Sequence, residues 1–351
     1  MFSLLKGFDK TIFVCALLLM GFGTVIIGSV APSLLGSQII FYVAGLILFL
    51  IFSRIDPRIY INVWKQTYVI SIVLLLITLV VGLESRGATR WISIAGFRLQ
   101  FSEILKPFLI AGLAVFLGSQ KETKLRGFVY VLILGALPML LIFKQPDLGS
   151  ALVYLAGFSS MILISNINFG YIISTFISFI IFLPIIWHFL AGYQKDRISS
   201  FINPGVDPLG VSYNAIQAVI AVGSGMIFGK GLGQGTQSQL LFLPEHHTDF
   251  IFASTAEELG FVGAGLLLTV YFVLIMRIFR ISGILKDPTQ RLLLVGLATM
   301  VFAQVFINVG MNLGILPVTG ITLPLVSYGG SSVLSIMIAW GMASSAYCFN
   351  E

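Results

Sequence analysis

The sequence predicts an all-α polytopic membrane protein with about ten transmembrane helices, and three observations carry that expectation. Of 351 residues, 58% are hydrophobic and only 10% charged, and the mean hydropathy is +1.02, a balance foreign to water-soluble domains. The apolar residues fall in long runs, near 11–31, 38–54, 66–83, 104–119, 127–143, 148–165, 169–191, 251–276, 291–312 and 329–348. Each approaches the ~20 residues that cross a bilayer core as a helix. These runs are also too long and too continuously apolar for the alternating strands of a membrane barrel. We treat residues 1–351 as a single integral membrane unit.

The elements follow in chain order. MFSLLKGFDK is a short leader to a run reaching residue 31, without a small-residue cleavage site, so the first helix is expected to be retained. Basic residues orient the chain: Lys6, Lys10, Arg54, Arg58, Lys65, Lys121, Lys124, Arg126, Arg277, Arg280, Lys286 and Arg291 all fall in short loops on one side. Both termini are therefore expected in the cytoplasm. The other side carries two long loops, 84–103 and 192–250, the second between helices seven and eight. The net charge of +6 is mostly this inside bias, and without a basic stripe or soluble reader domain it implies no nucleic-acid partner. Cys15 and Cys348 suggest no disulfide framework, and no phosphate-binding G-x-x-x-x-G-K-[ST] loop marks an ATP motor.

Polar residues in so apolar a chain mark candidate sites. In 84-ESRGATRWISIAGFRLQFSEILK-106, Arg86, Arg90 and Arg98 sit where few positives are expected; Ser102 can cap the next helix, and Glu103 and Lys106 share a face. They read either as a local ion pair with interfacial anchoring or as a cationic rim for an anionic ligand. In 144-KQPDLG-149, Lys144 and Asp147 read as a tight turn or as part of a site. The loop 192–250 includes 214-NAIQAVIAVGSGMIFG-229, a short helix at the surface or dipping in, and 229-GKGLGQGTQSQ-239, a flexible backbone beside Lys230 rather than a dinucleotide fingerprint. In 243-LPEHHTDFIF-252, His246, His247 and Asp249 lack a fourth partner for zinc, so no metal site is assigned. Asp249 is either the N-cap of the helix at 251 or a carboxylate facing an outer cavity, with Glu257 and Glu258 two turns further in. Gln304, Asn308 and Asn312 form one polar stripe, suited equally to packing or to a substrate path. The uncharged segment 314–332 reads as broken backbone buried in protein or lining a cavity. A bundle with a polar, partly cationic outer cavity fits two classes, a transporter of an anionic amphiphile or an enzyme acting on a lipid-linked substrate. The bare inner half favours the enzyme.

At these residues the chain resembles the SEDS family (shape, elongation, division and sporulation), and its RodA branch more than its FtsW branch. The resemblance rests on GATRWI at 87–92, SEILK at 102–106, KQPDLGSAL at 144–152, GLGQGTQSQLLFLPEHHTDFIFASTAEELGFVG at 231–263 and GILPVTGITLPLVSYGGSS at 314–332, and covers nearly the whole chain. One departure is Phe101, where the family usually has proline. The resemblance implies a ten-helix peptidoglycan glycosyltransferase of the bacterial cytoplasmic membrane, polymerising lipid II on the outer leaflet with a class B penicillin-binding protein and other elongation proteins. A lipid II flippase is the alternative. It further implies Asp249 as general base in an inverting transfer. Arg90, Arg98, Lys106 and Arg197 are the expected pyrophosphate cations, with Glu103 orienting Lys106. A divalent cation, Mg or Mn, is an expected helper. Lys144, Asp147, Lys230, Gln237, His247, Glu258 and Ser327 complete the expected substrate contacts.

Overall fold

The computed structural model describes residues 7–85, 88–94, 97–120, 124–190, 192–203, 205, 210 and 212–349. Lys6, Arg86 and Lys121, used above, lie outside them. In chain order the elements are α1 (Lys10–Val30), α2 (Pro32–Arg54), α3 (Pro57–Asn62), α4 (Trp64–Val81), β1 (Leu83–Ser85), β2 (Ala88–Ile94), β3 (Phe97–Leu99), α5 (Phe101–Ile104), α6 (Lys106–Gly118), α7 (Leu125–Lys144), α8 (Leu148–Ile164), α9 (Phe169–Phe189), α10 (Gly192–Ile202), α11 (Tyr213–Ser224), α12 (Thr236–Gln239), α13 (Ile251–Ile284), α14 (Pro288–Asn312) and α15 (Gly330–Cys348). Among the described residues eight helices are long and apolar enough to cross a membrane, counting α5 and α6 as one span, and two shorter apolar helices occupy 148–164 and 169–185. The all-α polytopic membrane class holds.

The bundle is built around α14 and α15, the most enclosed helices. α15 runs along α2, and α14 contacts α6, α8 and α13. Trp340, Met337 and Leu294 are fully buried, while the outer helices turn Ile39, Ile70, Phe176 and Ile180 outward, as expected where the solvent is lipid. At one end the Asp9 carboxylate caps α1, accepting from the Ile12 N–H at 2.9 Å. It also receives the Arg277 guanidinium, tying α1 to α13 through charge-assisted bonds.

The opposite end departs from the sequence reading in three places. Residues 84–103, expected as a loop, contain an antiparallel three-stranded meander, β1-β2-β3, with Glu84 facing Thr89 and Ser93 facing Arg98. Ser102 does not cap the following helix: it lies inside α5, and its hydroxyl donates to Asp147 Oδ2 at 3.2 Å. Asp249 is not the N-cap of α13; Phe250 holds that position, with no side-chain cap bond. The segment 213–224 is a helix, α11, as one reading of the loop allowed.

α13 is a broken helix. Gly260 has φ 67° and ψ −167°, a backbone state reserved for glycine. The break frees backbone groups at membrane depth, which must find partners within the protein. The chain at 226–231 supplies them. The N–H groups of Lys230 and Gly231 donate to the carbonyls of Glu257 and Glu258 at 2.9 and 3.0 Å, and those of Phe261 and Val262 donate to Met226 and Ile227 at 2.9 and 3.1 Å. The approach is so close that a Cβ on Gly260 would lie 2.2 Å from the Gly229 nitrogen. Gly260→Ala therefore combines a strained φ with a backbone clash and is expected to destabilise the protein by about 3 kcal/mol or more. Gly265→Ala, on the same helix with open space around it, is expected to be neutral or slightly stabilising. Thermal unfolding of the two purified variants in detergent checks this.

Candidate active site

The end of the bundle bearing the meander encloses a cavity of about 640 Å³. Four chain segments converge on it: the meander and α5, the turn at 146–150, the 245–249 turn, and the irregular chain at 320–332, with α10 contributing Arg197. Much of this lining, the 245–249 turn and the chain at 320–329 above all, lies outside the membrane helices and must be held in place by specific bonds.

The amide stripe on α14 does much of that holding. Gln304, Asn308 and Asn312 are all fully buried. Asn308 and Asn312 each donate from Nδ2 to the Asp249 carbonyl, at 3.0 and 3.1 Å. Asn308 also donates to the Ile321 carbonyl at 2.6 Å, Gln304 to the Thr322 carbonyl at 3.0 Å, and Asn312 Oδ1 accepts from the Ala253 N–H at 3.0 Å. The stripe is thus a scaffold that pins the Asp249 turn and the 320–323 strand of chain to one helix. Ser327 works from the other side: its hydroxyl donates to the Thr248 carbonyl at 2.6 Å and accepts from the Leu323 N–H at 2.7 Å. The Tyr328 N–H donates to the His247 carbonyl at 2.9 Å. Within the turn, Glu245 adopts φ 54°, and its Oε2 accepts from the Thr248 hydroxyl at 3.0 Å. His246 is buried, its two ring nitrogens 3.0 Å from the Leu243 carbonyl and 3.1 Å from the Val30 carbonyl, which anchors the turn to the end of α1.

With its main chain fixed, Asp249 turns its carboxylate into the cavity. A point over Gly320, which has φ 77°, lies 3.5 Å from Asp249 Oδ2 and 3.9 Å from Arg197 Nη1, so acid and guanidinium share one corner. Arg90 and Arg98 reach the same cavity from β2 and β3. Arg90 Nε donates to the Gln145 carbonyl at 3.0 Å, which leaves the remaining donors of its fork for other partners. Three guanidiniums around one cavity suit phosphate oxygens.

The acids opposite are differently placed. Glu103 Oε1 accepts from Lys106 Nζ at 2.7 Å and from the Ser150 hydroxyl at 2.6 Å. Lys106 is fully buried and sits behind Glu103 rather than lining the cavity. The roles anticipated for this pair are reversed: Lys106 holds Glu103, and Glu103 faces the cavity. Asp147 caps α8 and also lines the cavity. Its Oδ1 caps α8 by accepting from the Ser150 N–H at 3.1 Å, and its Oδ2 accepts from Gln100 Nε2 at 2.6 Å. His247 also lines the cavity, its ring 6.1 Å from that of Tyr328.

Lys144, Lys230, Gln237, Glu258 and Ser327 do not line this cavity. Lys144 is exposed at the end of α7. Lys230 and Gln237 belong to a second cluster around the buried Glu257, whose Oε1 accepts from Lys230 Nζ at 3.1 Å and the Gln237 N–H at 2.9 Å, and whose Oε2 accepts from the Ser238 hydroxyl at 3.0 Å. Glu258 Oε1 accepts from the Ser29 hydroxyl at 2.8 Å and the Gly233 N–H at 3.1 Å. These two acids fold the glycine-rich loop onto α13. Sequence reasoning gave no role to Gln100, Ser150 or Ser331, small polar residues with no spacing signal of their own.

Lys106→Met leaves Glu103 buried without its counter-charge and is expected to destabilise the fold by about 3–5 kcal/mol. The double change Glu103→Gln with Lys106→Met is expected to restore most of that stability, since it removes both charges. Denaturant or thermal unfolding of the two variants side by side measures the difference.

Residues 9–350 match the family model described as "Cell cycle protein", FTSW_RODA_SPOVE. The chain is 40% identical over 307 residues to the peptidoglycan glycosyltransferase MrdB of Escherichia coli strain K12, covering 86% of this chain and 82% of that one. It is 37% identical over 318 residues to stage V sporulation protein E of Bacillus subtilis strain 168, covering 87% and 84%. Among solved structures it superposes with a TM-score of 0.84, at 30% identity and 98% coverage of both chains, on a chain from a study of how a peptidoglycan synthase complex coordinates polymerization and crosslinking. It superposes on the Thermus thermophilus rod shape determining protein RodA with a TM-score of 0.75 at 27% identity, covering 99% of this chain and 98% of that one. The expectation from the sequence motifs is met: the chain belongs to the FtsW/RodA/SpoVE family, the SEDS proteins.

Proposed function

We propose that this protein is a peptidoglycan glycosyltransferase that polymerises lipid II at the outer face of the bacterial cytoplasmic membrane, with Asp249 as the general base. The observation that carries the reading is the convergence of one carboxylate, Asp249, and three guanidiniums, Arg90, Arg98 and Arg197, on a single cavity at one end of a membrane bundle. The curated names of relatives, which are glycosyltransferases of peptidoglycan, support the reaction class. The basic-residue bias of the opposite loops supports a cavity that opens outside the cytoplasm.

In this reading the donor sugar is joined α to a lipid pyrophosphate and the product is joined β-1,4, so a single displacement inverts the anomeric carbon. The acceptor 4-hydroxyl forms the new bond and passes its proton to the Asp249 carboxylate. The bond from the anomeric carbon to the phosphate oxygen breaks, and the pyrophosphate departs with the electron pair. Its charge is received by Arg90, Arg98 and Arg197, whose forks match phosphate geometry. Glu103, held in place by Lys106 and Ser150, accepts hydrogen bonds from substrate hydroxyl or amide groups. Among the described residues no three His, Cys, Asp or Glu side chains converge as a ligand set; Mg or Mn would be carried by the substrate pyrophosphate with one or two carboxylates and would help neutralise its charge.

A class B penicillin-binding protein is the partner in this reading, together with other elongation proteins. The solved relative from a synthase complex supports it.

Asp249→Asn keeps the tethered carbonyl and loses no cap, so it is expected to fold normally while glycan synthesis from purified lipid II falls by about 10²–10⁴-fold. Polymerisation assays on wild type and variant, each with its penicillin-binding partner, decide the matter. Near-normal glycan from the variant removes Asp249 as base, and no glycan from either protein removes the enzyme reading.

A further inference from the structure

A second cavity of about 580 Å³ adjoins the first, and Arg197 lines both. Its character is different. Apart from Arg197 its walls are chiefly apolar, from Phe201 on α10, Val219 and Ile220 on α11, and Leu316, Pro317 and Val318 from the chain after α14. Val219 and Ile220, which line it, stay partly exposed, and Ile315, beside Leu316, is largely so. Exposed hydrophobic side chains at an apolar groove in a membrane protein suit contact with the apolar part of a bilayer.

The two cavities together therefore change polarity at one residue. On one side of Arg197 lies a polar chamber with the Asp249 carboxylate; on the other lies an apolar groove open towards lipid. A molecule with a sugar, then a phosphate, then a hydrocarbon tail changes polarity in the same order. We propose that the groove holds the first isoprene units of the polyprenyl chain of the donor substrate, with Arg197 on the adjoining phosphate. The inference rests on the glycosyltransferase reading and deepens it. The donor, rather than the acceptor, is assigned because the reacting anomeric carbon bears the phosphate. Arg197 Nη1, which shares the corner over Gly320 with Asp249 Oδ2, then sits next to both the leaving group and the base. The acceptor's phosphate is a disaccharide away from its reacting hydroxyl and has no reason to lie in this corner.

Two measurements test this. Undecaprenyl pyrophosphate carrying a diazirine in the isoprene unit nearest the phosphate is irradiated with the full-length protein in nanodiscs, and the adducts are mapped by mass spectrometry. Adducts competed by unlabelled undecaprenyl pyrophosphate are expected at 201, 214–220 and 313–318, and to fall at least fivefold in Val219→Trp and Leu316→Trp, which fill the groove. Competed adducts confined to other helices overturn the proposal, whether or not the protein makes glycan. Secondly, the KM of wild type for lipid II is compared with that for an analogue whose tail is cut to two isoprene units. The long tail is expected to lower KM at least tenfold, and Val219→Trp to bring the ratio towards one with a smaller effect on kcat. An unchanged ratio in the variant overturns the groove assignment, while absence of glycan from wild type bears on the enzyme reading alone.

Discussion

Two asparagine side chains on α14, Asn308 and Asn312, donate to one carbonyl, that of Asp249, and the geometry of the cavity follows from that fork. The Asp249 turn has no helix or sheet of its own to fix it. A carbonyl held by two buried amides cannot rotate without leaving donors unpaired in an apolar bundle, a loss of about 1–3 kcal/mol for each. The side chain on that same residue is consequently aimed, and the chain at 320–323, bonded by Asn308 and Gln304, is brought alongside it. The polar chamber is in this sense an outgrowth of one helix face.

The sequence made the architecture legible because hydropathy in a membrane chain is a strong signal. The runs at 251–276 and 291–312 fall within α13 and α14. What the sequence left open was decided by long-range bonds that no local pattern encodes. Asp249 precedes an apolar helix, as an N-cap would, yet its main chain is claimed by a helix some sixty residues later. Ser102 sits three residues after a strand and before a helix, and is drawn instead to Asp147. Lys106 and Glu103 were visible as a pair because they lie one turn apart, but which of them faces the cavity depends on Ser150 arriving from α8. The stripe of amides was visible, and its purpose was not, because packing and substrate binding use the same residues at the same spacing.

The glycine-rich loop shows the same division between chemistry and support. Its glycines and Lys230 resemble a ligand cradle, but the structure uses them to close a gap in α13. Gly229 lets the loop backbone lie against the break at Gly260, and Glu257 and Glu258 gather the loop's N–H groups. Glu257, deep in an apolar helix, is satisfied there on both oxygens by a loop of its own chain, as a buried carboxylate requires, while Glu258 binds the loop and Ser29 through one oxygen.

The bonds that Asn308, Asn312 and Ser327 make to the Asp249 turn are neutral. Amides and hydroxyls donate to backbone carbonyls, and no ion pair holds the turn's main chain in the bonds described. Amide and hydroxyl donors keep their protons across the whole pH range in which proteins fold, and neutral bonds are little affected by dissolved ions. A site open to the medium outside a cell, as the proposed function requires, would meet acidity and salt that the cell cannot buffer. These tethers of the turn's main chain are insulated from both.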